Sequence, residues 1–250
     1  MWHYGLKRRI NLLIFRFRNP HKEKFECPIC GYRGPFLDIA PSGGPRRHAR
    51  CPNCTALERH RLQFLVLQKV LRDRKTAHWK MLHIAPEPFF REFFSQRFDQ
   101  YETADLKMKG VDHIVDLQRL PFGDSTYDFV FASHVLEHIP DDQKAISEIR
   151  RILKPNGIAI LPVPIYGEKT LEYPEPNPQE CYHVRAPGMD YFDRYERYFS
   201  RVERFSSGSQ PEKYQVFVYQ DHSHLSKTEH PWLPSVQTEK LSDVVPVCYV

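Results

Sequence analysis

The sequence predicts an α/β protein: a mostly parallel sheet covered by helices on both faces, with a small four-cysteine ribbon ahead of it. Two observations predict this. Between about residues 80 and 220, short apolar runs alternate with helix-length amphipathic segments, the pattern of strand–crossover–strand units. Before them, Cys27-Pro-Ile-Cys30 and Cys51-Pro-Asn-Cys54 form two C-x2-C pairs. A length of 250 residues fits one sizeable domain plus a small appendage. Contents of 41% apolar and 27% charged residues speak against a disordered or membrane-spanning chain.

Four blocks follow in order: a basic lead (1–24), the ribbon (25–55), the main domain (56–220) and a tail (221–250). Met1–Pro20 imitates a signal peptide, with Lys7, Arg8 and Arg9 before Ile10–Phe15. The apolar stretch is too short, Arg16 and Arg18 interrupt its flank, and no small-residue cleavage site follows, so a cytoplasmic protein is expected. The segment reads as an amphipathic helix with Leu6, Ile10, Leu13, Ile14 and Phe17 on one side. Such a helix either lies on a membrane surface or packs on the body of the protein. Residues 1–80 hold 18 Lys+Arg against 5 Asp+Glu, leaving 18 against 26 for the rest. The basic part can meet RNA, anionic lipid or an acidic partner, or form a solvated face.

Four thiolates in two close pairs suit tetrahedral Zn²⁺, because each C-x2-C turn brings two sulfurs onto one ion. Cys27, Cys30, Cys51 and Cys54 are therefore the expected ligands of a structural zinc, and Gly31 permits the tight turn after the first pair. Two disulfides or a redox pair are the competing readings. Cys181 and Cys248 read as small hydrophobes. Arg33, Arg46, Arg47, His48 and Arg50 decorate the ribbon, with Gly43-Gly44-Pro45 making its loop mobile.

The main domain opens with a helix over Ala56–Arg74, apolar at Leu57, Leu62, Leu65, Val66, Val70 and Leu71. Lys80–Ala85 is a strand and Pro88–Arg97 a helix. Tyr101–Ala104 and His113–Val115 are strands ending at Asp105 and Asp116. Tyr127–Ser133 is a buried strand, since Phe129, Val130 and Phe131 run together. Asp141 caps a helix over Asp141–Leu153 with Ile146, Ile149, Ile152 and Leu153 as its stripe. Lys154-Pro155-Asn156-Gly157 stops that helix and turns into strand Ile158–Val163. Asp190–Phe199 reads as a helix, and Val202–Ser206 and Tyr214–Tyr219 as the last two strands. The tail has no clear period and is expected to wrap the body or stay mobile.

Asp112–Pro164 contains an acid, then LPFGDSTYD, SHVLEH, and LKPNG before a strand. It closely resembles the class I S-adenosylmethionine-dependent methyltransferases of the type 11 kind. That resemblance implies a Rossmann-like, mostly parallel seven-stranded sheet and S-adenosylmethionine as cofactor. It further implies that Asp105 accepts hydrogen bonds from the ribose hydroxyls and Asp116 from the adenine amino group, with Leu117 beside the ring. Ser133 and His134 would border the methionine portion and the transferring methyl. One departure stands out: the family usually has an acid and then a G-x-G-x-G loop, whereas this chain reads Met81-Leu82-His83-Ile84-Ala85-Pro86-Glu87-Pro88. Ala85 and Glu87 occupy glycine positions, and the Glu87 carboxylate is expected to pair with the cofactor's ammonium in place of the missing acid.

An oxygen acceptor calls for a general base, for which His134 and His183 are the candidates. Tyr166, His183 and Arg185 belong to the insertion Tyr166–Asp190, where relatives place substrate-recognition segments; relatives with a similar H-V-R stretch are linked to glycan modification. A small-molecule or glycan hydroxyl is the expected acceptor. A zinc-ribbon RNA methyltransferase and a non-catalytic zinc-bearing protein with a vestigial cofactor fold remain alternatives. The sequence leaves the oligomeric state open.

Overall fold

The computed structural model describes residues 2–41, 44–219 and 240–250. Gly43 of the ribbon loop and residues 221–239 of the segment read as a tail lie outside the described residues. The chain divides into two compact units, residues 1–69 with 206–243, and residues 70–205 with 244–250.

In the first unit, helix α1 (Trp2–Arg18) leads into two short antiparallel pairs. Strand β1 (Phe25–Glu26) pairs with β2 (Arg33–Gly34), and β3 (Leu37–Ile39) with β4 (Arg46–Arg50). Phe25, Tyr32, Phe36, Cys27 and Cys51 form its buried core, against which Leu12 of α1 packs. Helix α2 (Glu58–Leu71) is shorter than its apolar stripe predicts. It carries Arg61, which is fully buried. The Arg61 guanidinium donates to the carbonyls of Ala49, Ala56, Tyr214 and Gln215 at 2.5–3.0 Å and lies over the Phe36 ring, 4.4 Å from its centroid.

The second unit is built on a seven-stranded sheet. Its elements are β5 (Lys80–Ile84), α3 (Pro88–Ser95), β6 (Gln100–Asp105), β7 (His113–Ile114), β8 (Tyr127–Ala132), α4 (Asp142–Ile152) and β9 (Leu153–Ile160). A hairpin, β10 (Leu171–Asn177) and β11 (His183–Ala186), precedes α5 (Phe192–Glu196), β12 (Arg201–Ser206) and β13 (Val244–Tyr249). The sheet order is β12-β13-β9-β8-β5-β6-β7. Strands β5, β6, β7, β8 and β9 pair in parallel, and β13 runs antiparallel to β9.

Register decides which helix covers which face. His83 stands beside Phe131 and Met81 beside Phe129, and α3 lays Phe90 and Phe94 on that face. The alternate residues, Leu82 beside Val130 and Ile84 beside Ala132, meet Ala145, Ile146 and Ile149 of α4 in the other layer. Asp141 caps α4 as predicted, accepting the Lys144 amide at 2.9 Å.

Besides the shorter α2, the structure departs from the sequence reading in four places. The segment Lys154–Gly157 does not precede the strand; it is a bulge inside β9, which pairs Leu153 with Tyr127 and resumes at Ile158 with Phe129. Tyr214–Tyr219 is not a sheet strand: it follows a 3₁₀ turn, Gln215 has φ 45°, and Val218 makes a single bridge to Leu241. The seventh strand is Val244–Tyr249, from the segment read as a tail. The helix over Asp190–Phe199 shrinks to a 3₁₀ turn and the five residues of α5.

Candidate functional site

The chain leaves β5 toward β6 and β7 on one side, then returns to add β8 and β9 on the other. The crevice between the carboxyl ends of β5 and β8 is therefore a topological switch point, where open α/β sheets bind ligands. A left-handed residue follows each strand: Ala85, the first past β5, has φ 47°, and His134, the second past β8, has φ 53°. Neither is a glycine, so each conformation is strained and must be held by its surroundings. The Ala85 amide donates to the Ala104 carbonyl and the His134 amide to the Pro162 carbonyl, both at 2.9 Å. These bonds fix the two corners to the neighbouring strands.

The predicted site residues distribute around this crevice. Asp105 ends β6; its Oδ1 accepts the amides of Lys107 and Met108, both at 2.8 Å, and Oδ2 makes no hydrogen bond among the described residues. Asp116 follows β7 on an exposed turn, where Oδ1 accepts the Gln118 amide at 2.8 Å, and Leu117 beside it is buried. Ser133 is buried at the end of β8. Glu87 occupies the N-cap position of α3 without a side-chain capping bond, and its carboxylate lies 3.5 Å from Nε2 of fully buried His83. His83 also lies 2.9 Å, through Nδ1, from the Tyr101 hydroxyl, and burial holds its pKa below the usual imidazole value.

Past His134 a 3₁₀ turn, Leu136–His138, brings several titratable groups together. Glu137 is buried, with Oε1 3.3 Å from His134 Nδ1. The rings of His138 and His183 meet edge to face at 4.6 Å, and His183 Nδ1 lies 3.8 Å from Glu180. Glu137, His138 and His183 offer ligand atoms within 4.8 Å of one another. Burial pushes the Glu180 carboxyl up to about 7 and the His183 imidazole down to about 4. The Tyr173 hydroxyl donates to Glu180 at 2.9 Å, and the Tyr166 ring is 6.4 Å from that of His183.

Arg185 is buried and engaged with the protein. Its guanidinium donates to Glu172 and to the carbonyls of Leu136, Ile139 and Pro140 at 2.7–2.9 Å. It thus pins β11 to the turn that carries Glu137 and His138. Sequence reasoning singled out His134 and His183 and assigned no catalytic or binding role to Glu137, His138 or Glu180. The i, i+3, i+4 spacing of His134, Glu137 and His138 was a visible signal; nothing marked Glu180, which depends on the hairpin fold.

The cysteines form a separate cluster. Cys27 and Cys54 sulfurs are 3.5 Å apart, Cys30 and Cys51 sulfurs 3.7 Å, and all four lie within 4.8 Å of one another. Four bonds of about 2.3 Å in a tetrahedron place sulfurs about 3.8 Å apart, whereas a disulfide needs about 2.05 Å. Both turns have the same backbone. Gly31 (φ 69°) donates to the Cys27 carbonyl at 2.9 Å, and Thr55 (φ 65°) to the Cys51 carbonyl at 3.0 Å. The amide of the first cysteine in each pair then donates forward, Cys27 to Tyr32 at 2.8 Å and Cys51 to Ala56 at 2.9 Å.

Comparison with known proteins matches a methyltransferase domain model to residues 81–161. A sterol 4-C-methyltransferase of Caenorhabditis elegans is 48% identical over 42 residues, covering 17% of this chain and 13% of that protein. A demethylmenaquinone methyltransferase of Staphylococcus epidermidis is 38% identical over 59 residues, 24% of each chain. The matches thus span under a quarter of these relatives' length. Among solved structures, geranyl diphosphate C-methyltransferase of Streptomyces coelicolor, in complex with Mg²⁺, a substrate analogue and S-adenosylhomocysteine, superposes with a TM-score of 0.52 at 11% identity, covering 77% of each chain. Residues 81–161 thus match a methyltransferase domain model, and they lie in a sheet with the class I S-adenosylmethionine-dependent methyltransferase fold.

Proposed function

We propose that this chain transfers the methyl group of S-adenosylmethionine to a hydroxyl of a small molecule or glycan. The observation that carries the reading is the pair of left-handed corners, Ala85 and His134, at the switch point of a sheet whose next strand tip carries Asp105. When bound there, S-adenosylmethionine supplies an activated methyl on a sulfonium. Asp105 accepts hydrogen bonds from the ribose hydroxyls through Oδ2. Asp116 accepts from the adenine amino group, with Leu117 against the ring. Ala85 keeps the β5 corner close to the ligand, Glu87 offers a carboxylate to the ammonium, and Ser133 borders the methionine portion.

The transfer is an in-line displacement, for which the protein positions the reactants and excludes water. His134 takes the proton from the acceptor hydroxyl, and Glu137, 3.3 Å from its Nδ1, orients the ring. His183, held neutral at pH 7 by burial, serves as a hydrogen-bonding wall with Tyr166, and Arg185 fixes the hairpin that presents it. The four cysteines hold one structural Zn²⁺, which closes the ribbon; with all four positions filled by protein, the ion takes no part in the transfer.

Calorimetry with S-adenosylhomocysteine tests the reading. The wild type is expected to bind, and Asp105→Asn and Asp116→Asn each to weaken binding roughly ten- to hundred-fold, the range for a hydrogen bond to a charged group. A wild type that fails to bind at millimolar ligand removes the enzyme assignment in favour of a vestigial fold. Tight RNA binding that weakens steeply with salt would replace the small acceptor with RNA.

A further inference from the structure

We propose that helix α1 is an interfacial anchor that docks the protein on an anionic lipid surface. The sequence leaves two fates open for its apolar side, a membrane surface or the body of the protein, and the structure separates them. The side that meets the protein is a different one: Leu12 packs on the ribbon core, and Phe15 is half-buried. Ile10, Leu13, Ile14 and Phe17 stand in solvent at 46, 62, 43 and 89% exposure. Four large apolar residues spaced i, i+3, i+4, i+7 make one continuous stripe on a helix. Leu6 extends the same stripe by sequence spacing.

The charges choose the occupant. At about 100° per residue the stripe is flanked by Arg18 on one edge and by Arg16 on the other, and Lys7 and Arg9 continue these edges by sequence spacing alone. Arg16 and Arg18 are exposed. No acidic residue occurs before Glu23. An apolar stripe sunk to the acyl boundary, with long cationic side chains rising on both edges to the headgroups, is the geometry of an in-plane membrane helix. A second copy docking through the same stripe would set cation against cation along both rims, whereas anionic headgroups complement them. The helix is too short and too charged to cross a bilayer, and among the described residues no helix is long and apolar enough to do so. The inference is independent of methyl transfer.

The test is flotation of the full chain with phosphatidylcholine vesicles, with and without phosphatidylglycerol. The wild type is expected to float with the anionic vesicles and to lose them at high salt. Leu13→Glu with Phe17→Glu, changed at side chains that stand mostly in solvent, should weaken partitioning at least about tenfold. Arg9→Gln with Arg18→Gln should weaken it roughly five-fold per charge. Unchanged circular dichroism and zinc content certify the fold of each variant. The proposal is overturned if the wild type stays with the soluble fraction or binds neutral and anionic vesicles alike. It is equally overturned if the Leu13/Phe17 variant floats as the wild type does. Sedimentation showing a dimer that this variant splits, without vesicle binding, would assign the stripe to a second copy.

Discussion

Replacing Arg61 by Met should destabilise the first unit by about 3 kcal/mol and weaken binding of the zinc proposed for its four cysteines. Methionine fills most of the volume but donates nothing. Four carbonyls lose their guanidinium donor: Ala49, Ala56, Tyr214 and Gln215. Ala56 keeps the Cys51 amide, so three acceptors are left in need, those of Ala49 and Gln215 buried and that of Tyr214 partly buried. At about 1–3 kcal/mol each the loss reaches 3 kcal/mol or more. Removing a desolvated charge returns part of it, which sets the lower end as the expectation. The charge also matters at a distance, because Cys27, Cys51 and Cys54 are among the groups whose field acts on Arg61. A zinc tetrathiolate carries two net negative charges, so losing this cation should weaken zinc binding roughly tenfold. Urea unfolding followed by circular dichroism gives the first number, and competition with a chromogenic chelator gives the second. A stability loss under about 1 kcal/mol, with unchanged zinc affinity, would refute the view that Arg61 ties the ribbon to the 214–215 turn.

Ala85→Gly should fold within about 1 kcal/mol of the wild type and keep cofactor binding, because relief of the left-handed strain offsets the added freedom of the unfolded chain; Ala85→Val, whose β-branch opposes φ 47°, should lose several kcal/mol and the binding, as thermal melts and calorimetry will report. Glu180 has its folded pKa raised to about 7 by burial, so its contribution is complete below the unfolded value near 4.5 and is lost as pH rises toward 7. Glu180→Gln should therefore gain on the wild type by roughly 1–2 kcal/mol between pH 4.5 and 8, after discounting for solvent screening, in urea unfolding at a series of pH values. His183 works in the opposite sense: its depressed pKa means stability present above about 6.5 and lost as pH falls toward 4, so His183→Gln should flatten the acid limb of the same profile.

The strands that build the crevice were legible as short runs between helix-length segments, apolar in β5 and β8. Phe129-Val130-Phe131 reads as strand because both faces of a central parallel strand are buried. Asp105 and Asp116 fall at the ends of such runs, and the cysteine spacing alone pointed to one four-sulfur cluster. The seventh strand was hidden by Pro246, since proline argues against a central strand. The structure accommodates it because the ladder to β9 starts only at Val247. The hairpin over residues 171–186 was hidden by Pro174, Pro176 and its glutamates. It is held largely by Arg185 and its partners in another segment, a tertiary effect no local pattern carries. Ala85 shows the opposite case. Ala85 occupies a position where the family usually has glycine, and the backbone still makes the left-handed turn that a glycine would have made easy.

A crystal structure of the complex with S-adenosylhomocysteine measures the central claim most directly. The account predicts the nucleoside between the carboxyl ends of β5, β6 and β8, its ribose on Asp105, its adenine on Asp116 and its sulfur toward Ser133 and His134. A crevice closed by the Pro86–Pro88 corner, with the ligand elsewhere or absent, would contradict it.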